Sequence, residues 1–143
     1  MKYFKTLGVY KASNVEFYPE KITAYSYGWW RFVDTYKGRV LFNNCRYSST
    51  TNGHQSKVES LMGDLGIKIH IKLHYTRKGF QTGIEEAIKD EIECLKEEIQ
   101  NLEALIKNPR TKKQKNNDRK IIIGDHLRQI KIFKDLLGEN YEV

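Results

Sequence analysis

The chain has 143 residues, 39% of them apolar and 30% charged, which fits one globular domain and excludes a disordered or collagen-like polymer. Its net charge of +7 favours an anionic partner such as nucleic acid, a nucleotide or an acidic membrane surface, although a surplus of this size also serves solubility alone. Cys45 and Cys94 form no CxxC pair and read as free structural thiols in a reducing compartment; no stretch approaches the ~20 apolar residues of a membrane span.

Met1–Tyr10 carries no apolar run long enough for a signal peptide. Residues 1–75 read as mostly strand. Tyr3–Tyr10 mixes β-branched and aromatic residues, Val15–Tyr18 stops at Pro19, and Ile22–Tyr27 and Trp29–Tyr36 flank Gly28. A turn at Lys37-Gly38 leads into Arg39–Asn43, and the whole reads as an antiparallel meander. In a strand Trp29 and Trp30 face opposite sides, one to the core and the other to a ligand base or a subunit contact.

Asn43–Gln55 is a polar loop by composition, followed by a short helix over Gln55–Leu65 with Val58, Leu61, Met62 and Leu65 on one face and Gly66 as its stop. Ile67–Tyr75 alternates as a half-buried strand, with Lys68, His70, Lys72 and His74 on its polar side. His70 and His74 are too far apart along a strand to share one metal ion.

From Thr82 to Lys107 the pattern turns helical. Ile88, Ile92, Leu95, Ile99, Leu102 and Ile106 form one stripe, and Glu85, Glu86, Asp90, Glu91, Glu93, Glu97, Glu98 and Glu103 form the polar face. Asn108-Pro109 breaks that helix, and Arg110–Lys120 follows as a basic connector. A last helix runs over Lys120–Leu137, with Ile123, Leu127, Ile130 and Leu137 on its stripe and Gly138 at its end. The reading is α+β: an N-terminal antiparallel sheet with one short helix, then a C-terminal hairpin of two long helices. Residues 1–143 make a single domain, with 1–79 mainly β and 80–143 the hairpin. A helix of ~26 residues is about 39 Å long and outreaches a sheet of short strands, so a second subunit is expected to cover part of its stripe.

Three segments combine groups suited to phosphate and ribose. Arg110, Lys112, Lys113, Lys115, Arg119 and Lys120 could hold phosphates, with Asn116 and Asn117 on sugar hydroxyls; a solvated loop is the plainer account. Arg77-Lys78-Gly79-Phe80-Gln81-Thr82 sets two cations and a flat ring at a helix start, or is a strand-to-helix turn with Phe80 as a hydrophobic staple. The polar loop offers Asn43, Asn44, Arg46, Tyr47, Ser48, Thr50, Thr51, His54 and Gln55, or is an ordinary turn with a capped helix behind it. No GxSxG, HExxH or Cys–His signature is present; the sequence points to binding, with no catalytic residue, cofactor or metal.

The segments YSYGWWRFV (25–33), FNNCRYSSTTNGHQ (42–55) and LGIKI (65–69), in this order of sheet and helices, resemble phage proteins of the first-described family of Thoeris anti-defence sponges. That resemblance implies a protein in the cytoplasm of an infected bacterial host that binds nucleotide messengers, cyclic ADP-ribose variants above all, without cleaving them. Some members also hold cyclic oligonucleotides at a separate site. It further implies a homo-oligomer, a dimer or a higher assembly such as a hexamer. Phe80 would stack on adenine beside Arg77 and Thr82, Arg119 or Arg128 would meet the diphosphate near Asn116, and Asn44, Arg46, Thr51 and His54 would line a second pocket. The rival reading from the residues is a basic nucleic-acid-binding regulator or inhibitor.

Overall fold

The computed structural model describes residues 2–4, 8–12, 14–46, 48–110 and 112–138. Residues 5–7 of the expected first strand, Tyr47 of the polar loop and Thr111 of the basic connector lie outside them. The described chain forms two compact units, Met1–Ala87 and Ile88–Val143.

In the first unit seven strands form one sheet in sequence order. They are β1 (Lys2–Phe4), β2 (Val9–Ala12), β3 (Val15–Tyr18), β4 (Thr23–Ser26), β5 (Trp30–Tyr36), β6 (Arg39–Asn43) and β7 (Ile71–Leu73). The first six make the expected antiparallel meander. The β5–β6 turn, Lys37-Gly38, has φ of +50° and +76°, the mirror-image geometry that suits a two-residue hairpin. The seventh strand is a correction to a purely antiparallel sheet: β7 pairs parallel to β6, with Leu41 opposite Ile71 and Asn43 opposite Leu73. Helix α1 (Ser49–Asp64) connects the two strands and returns the chain to the same end, as a parallel pair requires.

Two boundaries here differ from the sequence reading. Helix α1 starts at Ser49, since Ser48 accepts the Thr51 N–H as an N-cap. The expected Ile67–Tyr75 strand is ordered as ladder only over Ile71–Leu73, and Tyr75 is exposed. His70 nevertheless extends the pairing, because its Nδ1 accepts the Val40 N–H at 2.8 Å and its own N–H reaches the Val40 carbonyl at 3.0 Å.

One core joins a sheet face to α1. Val15, Phe17, Ala24, Trp30, Phe32, Val33, Val40 and Phe42 pack with Val58 and Met62, and Leu61, Ile67 and Ile69 lie against them. Of the two tryptophans, Trp30 is buried and donates its Nε1–H to the Arg77 carbonyl at 3.1 Å, whereas Trp29 is 59% exposed in the turn before β5.

The second unit is made from α2 (Ile84–Lys107) beyond Ala87 and α3 (Lys113–Leu137), and the two long helices pack together as the expected hairpin. Ile88, Ile92, Leu95, Ile99 and Leu102 are buried within the single chain, and Ile106 at the end of the stripe is half-buried. Glu91, placed on the polar face from sequence, is 1% exposed. It stands four residues after Ala87 and four before Leu95, both buried, on the flank of the apolar stripe.

Helix α3 begins seven residues before the expected Lys120, so most of the basic connector is its first two turns. Lys, Gln and Arg are good helix formers, and a run of charge hid that propensity. Its buried residues are His126, Ile130, Phe133, Leu136 and Leu137, and Leu127 of the expected stripe is 55% exposed. No helix is long and apolar enough to cross a membrane among the described residues.

Candidate ligand-binding cleft

Strand alternation prepares a site on the first unit. Val15 and Phe17 turn inward from β3, which sends Glu16 and Tyr18 to the other face. The Pro19–Ile22 turn, closed by the Ile22 N–H on the Pro19 carbonyl, reverses the chain. It sets Tyr25 opposite Glu16 and Thr23 opposite Tyr18. Glu16, Tyr18, Lys21, Thr23, Tyr25 and Gly28 then line an open cleft of about 390 Å³, within the roughly 300–1,000 Å³ of ligand pockets.

Its aromatic wall is held from behind. The Tyr18 and Tyr25 rings meet edge to face with centroids 6.0 Å apart. The Arg31 guanidinium lies 5.9 Å from the Tyr25 centroid and donates to the Tyr25 hydroxyl at 3.3 Å. Arg31 is itself fixed by Asp34 at 2.9 Å and by the Phe80 carbonyl at 2.9 Å. Tyr27 and Trp29, 49% and 59% exposed, flank Gly28 in the chain. Gly28 has φ of +75°, a conformation that side chains resist, and a Cβ there would stand 4.0 Å from the Glu16 carboxylate.

The Tyr18 hydroxyl donates to the Glu16 carboxylate. That bond, aided by burial, raises the phenol from 10.0 to about 12, so it is a neutral donor at physiological pH. The sign follows: the raised value stabilises the fold fully below pH 10, and the benefit is lost as pH climbs through about 12. Spectrophotometric titration of the phenols should find Tyr18 ionising near pH 12, and Glu16→Gln should bring it back toward 10.

The site residues expected from sequence divide between the two units. Phe80, Arg77, Thr82, Asn44, Arg46, Thr51 and His54 belong to the first unit, and Asn116, Arg119 and Arg128 to the second. Phe80, the stacking candidate, is a correction: its side chain is 0% exposed in the 3₁₀ turn Phe80–Thr82, which is tied to β5 by Arg31. Thr82 closes that turn by donating to the Gly79 carbonyl at 2.9 Å, and Arg77 is exposed.

The proposed second pocket is also corrected in part, because two of its members are buried structural groups. Thr51 donates its N–H to the Ser48 hydroxyl oxygen and accepts that hydroxyl's proton on its own Oγ1, and His54 sits 2.7 Å from the Ser26 hydroxyl with its ring packed against Tyr27. Asn44 donates its N–H to the Leu73 carbonyl at 2.7 Å, and Arg46 is exposed. In the hairpin Arg119 donates to Asn116 at 2.9 Å and Arg128 pairs with Asp125.

Charge distribution separates the units as well. Residues 1–87 hold thirteen Lys and Arg against seven Asp and Glu; residues 88–143 hold twelve against eleven. The cationic surplus therefore belongs to the sheet and not to the basic run of α3. Glu16, Tyr18, Lys21 and Thr23 went unnoticed in the sequence because no motif marks them. The one usable signal was the alternation of β3 followed by a tight turn at Pro19, which brings Tyr25 alongside. No protein-family model, curated protein or solved structure matches the chain.

Proposed function

We propose that this protein captures a small phosphate-bearing nucleotide and holds it uncleaved, the sequestering role that its resemblance to the anti-Thoeris sponges implies, in the cytoplasm of an infected bacterial host. The observation that carries the reading is the cleft on β3 and β4: fixed phenol rings and the exposed Lys21 border about 390 Å³ of open space on the cation-rich unit. A purine ring gains about 1–3 kcal/mol for each aromatic stack. Lys21 supplies a charge-assisted bond to phosphate. A cationic surface also speeds capture of an anion.

Calorimetric titration with cyclic ADP-ribose variants and with cyclic dinucleotides tests this. Lys21→Ala and Tyr25→Ala should each weaken the bound messenger at least tenfold, about 1.4 kcal/mol, with the far-UV spectrum unchanged. Messenger recovered after denaturation should be intact. Wild-type affinity in both variants would remove the cleft as the site, and cleaved messenger would make the protein an enzyme.

The exposed Tyr27 and Trp29 favour a second reading, a platform for single-stranded nucleic acid. Under that reading affinity for an oligonucleotide falls steeply with salt, in proportion to the phosphates contacted.

A further inference from the structure

One carboxylate stands at the cleft with an oxygen to spare. Glu16 is half-buried on the outward face of β3, opposite Tyr25 of β4 and Lys11 of β2. Its Oε2 accepts from the Tyr18 hydroxyl. Its Oε1 lies 4.0 Å from where a Cβ on Gly28 would stand, so the glycine leaves the space before that oxygen open. Among the described residues no hydrogen bond or ion pair occupies Oε1, although Lys11 lies across the strand pair and Lys21 lines the same cleft. An unclaimed carboxylate beside a phosphate site repels its ligand unless the ligand meets it with donors.

We infer that Glu16 selects guanine: its carboxylate accepts the N1–H and the N2 amino group of a guanine ring stacked on Tyr25, while Lys21 meets the phosphate. The inference rests on the cleft being the nucleotide site, and it departs from the adenine ring that the resemblance implies. Directly opposed residues of an antiparallel pair stand about 4.5–5.5 Å apart at Cβ, so a ring lying on Tyr25 brings its edge to Glu16.

The choice of base follows from the donors each one carries. An ionised carboxylate only accepts. Guanine alone among the common bases presents two adjacent donors on its Watson–Crick edge, and a carboxylate takes both as charge-assisted bonds. Adenine turns the N1 lone pair toward the same oxygens and offers only its amino group, which leaves two acceptors facing each other. Hypoxanthine keeps the N1–H and lacks the amino group.

Calorimetric titration of the full chain with GMP, IMP and AMP at one ionic strength tests this. The wild-type chain binds GMP at least tenfold more tightly than AMP, with IMP between them. Glu16→Gln exchanges one acceptor oxygen for an N–H donor that suits adenine N1. That variant loses at least tenfold for GMP and holds AMP no less tightly than the wild type does. Lys21→Ala weakens all three nucleotides and keeps their order. The wild-type preference is read without any variant, and circular dichroism checks that both variants fold. Equal wild-type affinities for GMP and AMP, each still weakened by Lys21→Ala, would overturn the inference and leave the cleft standing as the site. Equal losses of GMP and AMP in Glu16→Gln would move the carboxylate to the ribose and overturn it as well. A wild-type chain that binds none of the three would remove the cleft and the inference together.

Discussion

Phe80→Ala is expected to destabilise the fold by about 3–5 kcal/mol, the cost of removing a buried aromatic ring and leaving its cavity. The Phe80 side chain is 0% exposed. Its carbonyl accepts from the Arg31 guanidinium at 2.9 Å and from the Gly83 N–H at 3.1 Å, and Gln81 beside it accepts the Arg31 N–H at 2.7 Å. A ring held this way has no face to offer a ligand without first leaving the core. In a chain of this size the melting temperature should drop by roughly 10 °C or more. Calorimetry measures that drop, and titration of the surviving folded fraction with nucleotide measures affinity. A variant of unchanged stability that had lost its ligand would return Phe80 to the stacking role its resemblance implies.

The outcome for Phe80 illustrates where sequence pattern was sufficient and where it was not. Period-two alternation placed Ile71 and Leu73 in the core and exposed Lys68, His70 and His74, because burial on a sheet face leaves a direct trace in hydropathy. Lys37-Gly38 fixed one hairpin through its left-handed geometry. Composition misled where polar residues do structural work. The loop reading of Ser49–Gln55 failed because a serine cap begins α1 there and buries Thr51, His54 and Gln55. Likewise the basic run is helical from Lys113 on, since charge does not oppose a helix that side-chain propensity favours.

The cleft was hidden for a different reason. Its members come from two strands and two turns, so pairing register, and not local spacing, assembles them. The functional residues that sequence can name are those in a contiguous motif; a site laid across a hairpin becomes visible only once the register is known.

Asn43, which opens the polar segment Asn43–Gln55, carries the second large effect. Its side chain is fully buried. The amide donates to the Thr76 carbonyl at 3.1 Å and the Lys78 carbonyl at 3.0 Å, while its oxygen accepts the Cys45 N–H at 2.8 Å. Gln55 from α1 completes the knot by donating to the carbonyls of Asn43 at 2.7 Å and Cys45 at 3.1 Å. The end of β6, the helix that follows it and the segment leading to the 3₁₀ turn thus share one set of satisfied bonds.

Asn43→Leu keeps the volume and removes three partners, each worth about 1–3 kcal/mol when left unsatisfied in the interior. The summed loss should exceed about 3 kcal/mol, read as a fall in the denaturant midpoint. Asn43→Asp is the sharper test. A carboxylate there aims negative oxygens at two carbonyls, whereas the protonated acid still donates once, so that variant should gain stability as pH falls from 7 toward 4. A variant equally stable at both pH values would mean that the two carbonyls are not held by the Asn43 amide. The segment after β7 would then owe its position to apolar packing alone.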